Sequence, residues 1–263
     1  GIINGRANMN NTSIEWTDKT WNPVTGCLHG CNYCYARKIT KRFGRRSGFN
    51  RGIGCTTKDN LHILKTKTNC MARGKWKFDP YPFGFEPTFH KYRLNEPTKL
   101  QKGKRIFVSS MGDLFGKWVP DEWIEEVLKI VHESPQHTFQ FLTKNPVRYL
   151  DFYFPDNCWL GTTIEGDKAG NVFKRYWGLR PKKDNIQYIS FEPLLGMEDI
   201  EVMLSSAGWL DWAIVGAETG PGASKPNKEW VESIIKHCRY SDIPIFLKDN
   251  LDWPDKIHEF PEV

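Results

Sequence analysis

The chain has 263 residues, 39% of them hydrophobic and 14% aromatic, with a formal net charge of +6. That length suits one large domain, since single α/β barrels reach this size, and the apolar content is enough for a sizeable core. No run of 18 or more apolar residues occurs, which speaks against a helical membrane span.

The first stretch, GIINGRANMNNTS, lacks the apolar segment of a secretory signal. Residues 1–12 read as a disordered lead-in, with Met9 a candidate natural start, and 13–263 as a single barrel domain. TWNPV, near Thr20, reads as the first strand. It is followed at once by GCLHGCNYCYAR, which sets Cys27, Cys31 and Cys34 in a C-x3-C-x2-C array. The other four cysteines, Cys55, Cys70, Cys158 and Cys238, are widely spread. Clustered thiols without a secretion signal point to a reducing, cytoplasmic compartment and to a metal, not to disulfides.

Next comes a basic run, Arg37, Lys38, Lys41, Arg42, Arg45, Arg46 and Arg51, with no acidic residue among them. It reads either as a phosphate-tracking surface or as a solvated helix face and loop. Residues 44–103, rich in Lys, Gly, Pro and aromatics, read as an insertion after the first βα unit. Cys55 and Cys70, with His62 between them, are either a second metal site or unremarkable. Trp76, Tyr81, Phe83 and Phe85 either pack the insertion or offer faces on which bases stack.

From Lys104 onward short apolar runs alternate with helical patterns. RIFVSS, TFQFLTK, WLGTTIE, IQYISFEP, DWAIVGAE and IPIFLKD read as strands. PDEWIEEVLKIVHESP reads as a helix with Asp121 as its N-cap and a stripe of Trp123, Ile124, Val127, Leu128 and Val131. NKEWVESIIKHC reads as another, capped by Asn227, with Trp230, Val231, Ile234, Ile235 and Cys238 on the buried side. Cys158 and Cys238 fall in apolar stripes and read as core. The expected fold class is α/β: a parallel (β/α), partial or near-complete TIM-like barrel of about six to seven strands.

Each apolar run ends in polar groups: Ser109, Ser110 and Asp113; Thr143 and Lys144; Glu165; Ser190 and Glu192; Glu218; Lys248 and Asp249. In a parallel barrel such positions lie at the C-terminal ends of the strands, where active sites of this architecture are built. One polar residue after a strand is usually a turn former. Six such ends in succession point to a site, and the cysteine array, following the first strand, is expected at the same mouth.

Thiolates hold zinc or iron–sulfur clusters. A structural zinc closes four ligands, and here the fourth would be His29, badly placed between Cys27 and Cys31, or a distant residue. A four-iron cluster on three cysteines leaves one iron open to a ligand.

The C-x3-C-x2-C spacing with Tyr33 before the last cysteine resembles the radical SAM superfamily. SIEWTDKTWNPVTGC, RIFVSSMGDLFG, FLTKNP, WLGTTIE, SFEPLLG and AIVGAETGPGA together resemble, more narrowly, a phage-encoded family of radical-SAM-like proteins. The resemblance implies a [4Fe-4S] cluster on Cys27, Cys31 and Cys34 whose open iron binds S-adenosylmethionine. Reductive cleavage then gives methionine and a 5′-deoxyadenosyl radical that abstracts hydrogen from a substrate. It places Tyr33 near the adenine, and Ser109, Ser110 and Asp113 where the superfamily carries a Gly-Gly-Glu that binds the methionine amino group. Gly216 becomes an adenine contact, with Glu218 just beyond it. Glu165 and Glu192 become ligands of ribose or substrate, and Lys144 and Lys248 become holders of a substrate anion, with Glu192, Lys144 and Lys248 the catalytic candidates. The implied partners are S-adenosylmethionine, an external electron donor of flavodoxin or ferredoxin type, and a nucleotide or nucleic-acid substrate, with no membrane. Two other readings stay open: a zinc-stabilised nucleic-acid-binding protein without catalysis, and a degenerate scaffold that binds S-adenosylmethionine without turnover.

Overall fold

The computed structural model describes residues 10–43, 55–56, 59–72, 75–166, 171–180, 184–220 and 222–262. They fall into two compact units, Gly1–Phe139 and Gln140–Val263.

The first unit contains β1 (Asn10–Asn11), β2 (Lys19–Trp21), β3 (Val24–Thr25), α1 (Tyr35–Phe43), β4 (Cys55–Thr56), β5 (His62–Leu64), β6 (Thr68–Ala72), β7 (Lys75–Asp79), β8 (Thr88–His90), β9 (Arg105–Val108) and α2 (Asp121–His132). β2 and β9 pair in parallel, Lys19 with Ile106 and Trp21 with Val108. Asn10 and Asn11, within the stretch read as lead-in, form an antiparallel edge on β2; residues 1–9 lie outside the described residues.

The expected first strand is two strands. Pro23 has no N–H to give to a ladder, and the chain leaves the main sheet after Trp21. Val24–Thr25 then pairs antiparallel with β8 in a second sheet of order β3-β8-β5-β4, while β6 and β7 form a separate ribbon. The stretch read as an insertion therefore has sheets of its own. Helix α2 also begins differently from expectation. Pro120 occupies the N-cap, without a side-chain cap bond, and Asp121 is the first helical residue, where its charge still favours the positive end of the helix dipole. The apolar stripe is buried as expected, with Ile130 added. Phe89 stacks on Trp123 at 5.2 Å and Trp16 lies 4.7 Å from Phe107. Each such fully buried side chain contributes about 1.5–3 kcal/mol.

The strand β10 (Thr138–Thr143) crosses the boundary between the units. The second unit continues with β11 (Cys158–Thr163), α3 (Asn171–Leu179), β12 (Ile186–Phe191), α4 (Ile200–Leu204), β13 (Trp212–Val215), α5 (Lys228–Tyr240) and β14 (Ile245–Leu247). β11 to β14 pair successively in parallel. Every residue of β11, β13 and β14 is buried, the pattern of strands covered on both faces. Trp212 is central, with Trp159 and Tyr188 each 5.5 Å away and Phe260 at 5.4 Å. The Asn227 side chain caps α5 by accepting from the Glu229 amide. Val231, Ile234 and Cys238 are buried along that helix, whereas Trp230 and Ile235 lie at its margin, half-buried. Cys158 and Cys238 are fully buried core residues, and burial pushes the Cys238 thiol up to about 12.

The main sheet runs β1-β2-β9-β10-β11-β12-β13-β14. Seven parallel strands with helices in their crossovers make this a partial TIM-like (β/α) barrel. Among the described residues, no helix is long and apolar enough to cross a membrane.

Candidate active site

In the first unit, the three cysteines occupy the loop between β3 and α1. The loop is fixed at both ends. At its start, Gly26 bridges Gly112 in parallel fashion, and its amide donates to the Met111 carbonyl at 2.9 Å. A Cβ on Gly26 would meet the Glu86 carbonyl oxygen at 2.3 Å, and one on Gly112 would meet the Gly26 oxygen at 2.8 Å. Only glycines allow this approach. The Cys27 amide adds a bond to the Phe85 carbonyl.

At the other end, Cys34 directly precedes α1. Its carbonyl accepts from Lys38, and its Sγ accepts from the Arg37 amide at 3.4 Å. The sulfur thus holds the place of an N-cap oxygen, at the end of the helix that favours negative charge. All three thiols are free and half-buried. Burial pushes the Cys27 thiol up to about 12; a bond from the His29 backbone opposes this, and the charges of Asp113, Cys31 and Cys34 add to it.

The middle of the loop is tied down by His29. Its Nε2 lies 2.7 Å from Asp113 Oδ2, and its ring meets Trp118 edge-on at 4.8 Å. The other Asp113 oxygen accepts from the Phe115 amide at 3.1 Å. Tyr33 is half-buried, and the neighbouring Tyr35 hydroxyl donates to the Ser110 carbonyl.

The turn after β9 holds the candidates Ser109, Ser110 and Asp113. Ser109 is buried with φ of 57°, and its hydroxyl meets no partner among the described residues. The Asn22 side-chain oxygen accepts from the Ser110 hydroxyl (3.2 Å) and from the Met111 amide (2.9 Å).

In the second unit the polar strand ends form two charged groups. Glu165, after β11, is bonded through one carboxylate oxygen to Lys144, after β10, and through the other to Arg175 of α3. Arg175 also donates to the Thr163 carbonyl at 2.7 Å. The three side chains are only 8–15% exposed. The other group is Glu192, after β12, paired with Lys248, after β14. Lys248 is further positioned by its amide, which donates to the Val215 carbonyl. Gly216 lies against this pair. The Glu192–Pro193 peptide bond is cis. Glu218 is half-buried beyond β13. Each candidate lysine therefore serves a candidate carboxylate.

Arg175, Asn22 and His29's pairing with Asp113 did not emerge from the sequence. The only signal for Arg175 is a cation on a helix that follows a strand ending in Glu165. Of the basic run, Lys38, Lys41 and Arg42 are exposed on α1, Arg37 is half-buried with its guanidinium over Phe85, and Arg45, Arg46 and Arg51 lie outside the described residues. Phe83 stacks on His62 at 3.7 Å, so one face of each of these two phenyl rings is already covered. The side chains of Cys55, Cys70 and Trp76 lie outside the described residues.

Fold and strand-end chemistry together define a partial (β/α) barrel with a three-cysteine loop after its first parallel strand. Such a fold is similar to solved structures of spore photoproduct lyase. One, complexed with dinucleoside spore photoproduct, gives a TM-score of 0.58 at 8% identity, covering 93% of this chain and 79% of that one. A mutant of the same lyase with bound AdoMet and dinucleoside spore photoproduct gives 0.52 at 10% identity, covering 89% of this chain; the present chain spans 64% of its length. At such identities the likeness is one of fold. No curated protein matches the chain. The chain belongs to the family described as "Protein of unknown function (DUF5131)", whose profile matches residues 11–259.

Proposed function

We propose that this chain is a radical S-adenosylmethionine enzyme acting on a nucleotide or nucleic-acid substrate in a reducing, cytoplasmic compartment. The observation that carries the reading is the loop of three free cysteines between the first parallel strand and the first helix, hydrogen-bonded at both ends. Cys27, Cys31 and Cys34 would hold a [4Fe-4S] cluster, each thiolate on a different iron. Bound there, the cluster would supply the electron for reductive cleavage of S-adenosylmethionine, drawn from an external donor of flavodoxin or ferredoxin type. Support also comes from the fold likeness to a lyase whose structure holds both AdoMet and a dinucleoside.

The chain's own residues are assigned as follows. Tyr33 packs near the adenine, and the Ser109–Ser110 turn, held by Asn22, offers backbone groups to the methionine moiety. Gly216 and Glu218 line the adenine and ribose side. Lys144 and Arg175, on either side of Glu165, bind a phosphate-bearing substrate. Glu192 and Lys248 orient the substrate and hold a proton between them.

The deciding experiment is iron, sulfide and zinc content after anaerobic purification and reconstitution, in the wild type and in Cys34→Ala. The expected result is about four irons and four sulfides per chain, lost in the variant. 5′-Deoxyadenosine release on adding S-adenosylmethionine and dithionite should follow. One zinc without sulfide would overturn the proposal and favour a zinc-stabilised nucleic-acid-binding protein. A cluster without deoxyadenosine release would favour a degenerate scaffold.

A further inference from the structure

We infer that Asp113 and His29 form a positioning pair that holds the cysteine loop in ligating geometry, and that Asp113 does not bind the methionine amino group. The inference rests on the cluster reading above.

Three observations carry it. Both Asp113 carboxylate oxygens already have partners within the protein: His29 Nε2 at 2.7 Å and the Phe115 amide at 3.1 Å. The Asp113 side chain is 6% exposed and His29 23%, so this bond is shielded from competing water and holds its geometry. Finally, His29 lies within the ligand array, two residues after Cys27 and two before Cys31. Its backbone lies close enough to polarise the Cys27 thiol, while its ring is pinned to Asp113 and packed edge-on against Trp118. A displaced His29 ring would move the amide that faces the Cys27 sulfur.

The loop needs such a tether. Leu28 is 55% exposed, and a Cβ built on Gly30 meets nothing within 4 Å, so packing restrains the centre of the loop little. Gly30 itself has φ of +74°, a conformation open to many alternatives in a chain without ligands. Outer partners that orient ligand-bearing groups typically account for about 10–100-fold in metal affinity.

The test uses the full chain, reconstituted anaerobically, as wild type and as His29→Ala, Asp113→Ala, His29→Gln and Asp113→Asn. Two quantities are read: the rate of iron release to a ferrous chelator, and the Kd for S-adenosylmethionine from the change it causes in the spectrum of the reduced cluster. His29→Ala and Asp113→Ala should release iron about 10–100 times faster than wild type. His29→Gln, whose amide nitrogen can replace Nε2, should stay within about threefold of wild type. Asp113→Asn keeps a hydrogen bond to the loop but removes the charge an ammonium group would seek, so its S-adenosylmethionine Kd should change by less than about threefold.

Wild-type iron release in both alanine variants would overturn the inference. So would an Asp113→Asn protein that keeps its cluster yet binds S-adenosylmethionine about tenfold more weakly. Melting curves of the metal-free variants separate misfolding from loop release, and His29→Gln and Asp113→Asn supply the test if an alanine variant fails to fold. A wild-type chain that takes up no iron and sulfide would instead sink the cluster reading, a result distinct from either.

Discussion

Glu192 and Lys248 form an ion pair whose side chains lie against Gly216: a Cβ there would stand 2.9 Å from Lys248 Cδ and 3.0 Å from Glu192 Cδ. Gly216 is thus the floor on which the pair rests. The crowded atoms are flexible side-chain carbons, so Gly216→Ala should cost little stability, about 1 kcal/mol or less. It should nevertheless push the two charged groups out of position. The expected result is a melting temperature within about 4 °C of wild type and, on the proposed radical reading, deoxyadenosine-coupled turnover reduced about 10- to 100-fold. A turnover equal to wild type would show that the pair has no role in the reaction.

The Lys144–Glu165–Arg175 group should behave as a unit. Removing Glu165 leaves two largely buried cations facing each other, whereas removing Arg175 leaves Glu165 with Lys144. Glu165→Ala should therefore destabilise by about 3 kcal/mol and Arg175→Ala by less. A double-mutant cycle between the two positions should show coupling of about 1–3 kcal/mol in urea unfolding. Additive effects would mean that the two charges do not sense each other.

Cys34 gives a way to separate folding from the proposed cluster binding. Its sulfur accepts the Arg37 amide at the start of α1, and serine is a better acceptor at that position. Cys34→Ser should keep the metal-free melting temperature of the wild type, or raise it slightly, while losing bound iron. A fall of several degrees in the metal-free protein would show that the thiol contributes to the fold beyond the cap.

Acid should weaken one defined contact. Arg239 grips Glu259 with two bonds of 2.7 and 2.8 Å, and the Ile245 amide adds a third. The Arg239 bond holds the Glu259 carboxyl below its ordinary value; burial opposes it. A carboxyl depressed in the folded state contributes stability above its unfolded pKa and loses it as pH falls through the folded one. Both side chains are more than a third exposed, so the contribution is about 0.5 kcal/mol. Wild type should exceed Glu259→Gln in melting temperature at pH 7, with the gap closing as pH falls below 4. A gap independent of pH would assign the effect to packing.

Sequence patterns and final structure agree where local order decides the outcome. The strands β9 to β14 are short, mostly buried apolar runs bounded by turn residues, so their residue types alone mark them. Polar strand ends such as Glu165, Glu192 and Lys248 follow from the same reading. What stayed hidden depends on distant partners. His29 meets Asp113 across 84 residues and Asn22 meets Met111 across 89, separations that no periodicity encodes. Arg175 looks like an ordinary helix cation until the fold turns it towards Glu165. Strands of two or three residues, such as β3 and β8, are too short for alternation to register, which is why the second sheet was legible only as an irregular stretch.

The divergence of the chain at Pro23 ties two segments together. Because Val24–Thr25 leaves the main sheet, the residues just before the cysteines are hydrogen-bonded to β8, and the Phe85 and Glu86 carbonyls press against Cys27 and Gly26. The three cysteines and the far end of the long excursion are one mechanical assembly, although some sixty residues of sequence separate them. The C-x3-C-x2-C segment is consequently not portable: transplanted to another barrel as a short peptide, it would arrive without its scaffold. A working graft would have to carry Phe85 to His90 as well, and chain-shortening experiments on this protein should trim the β6–β7 ribbon while sparing β8.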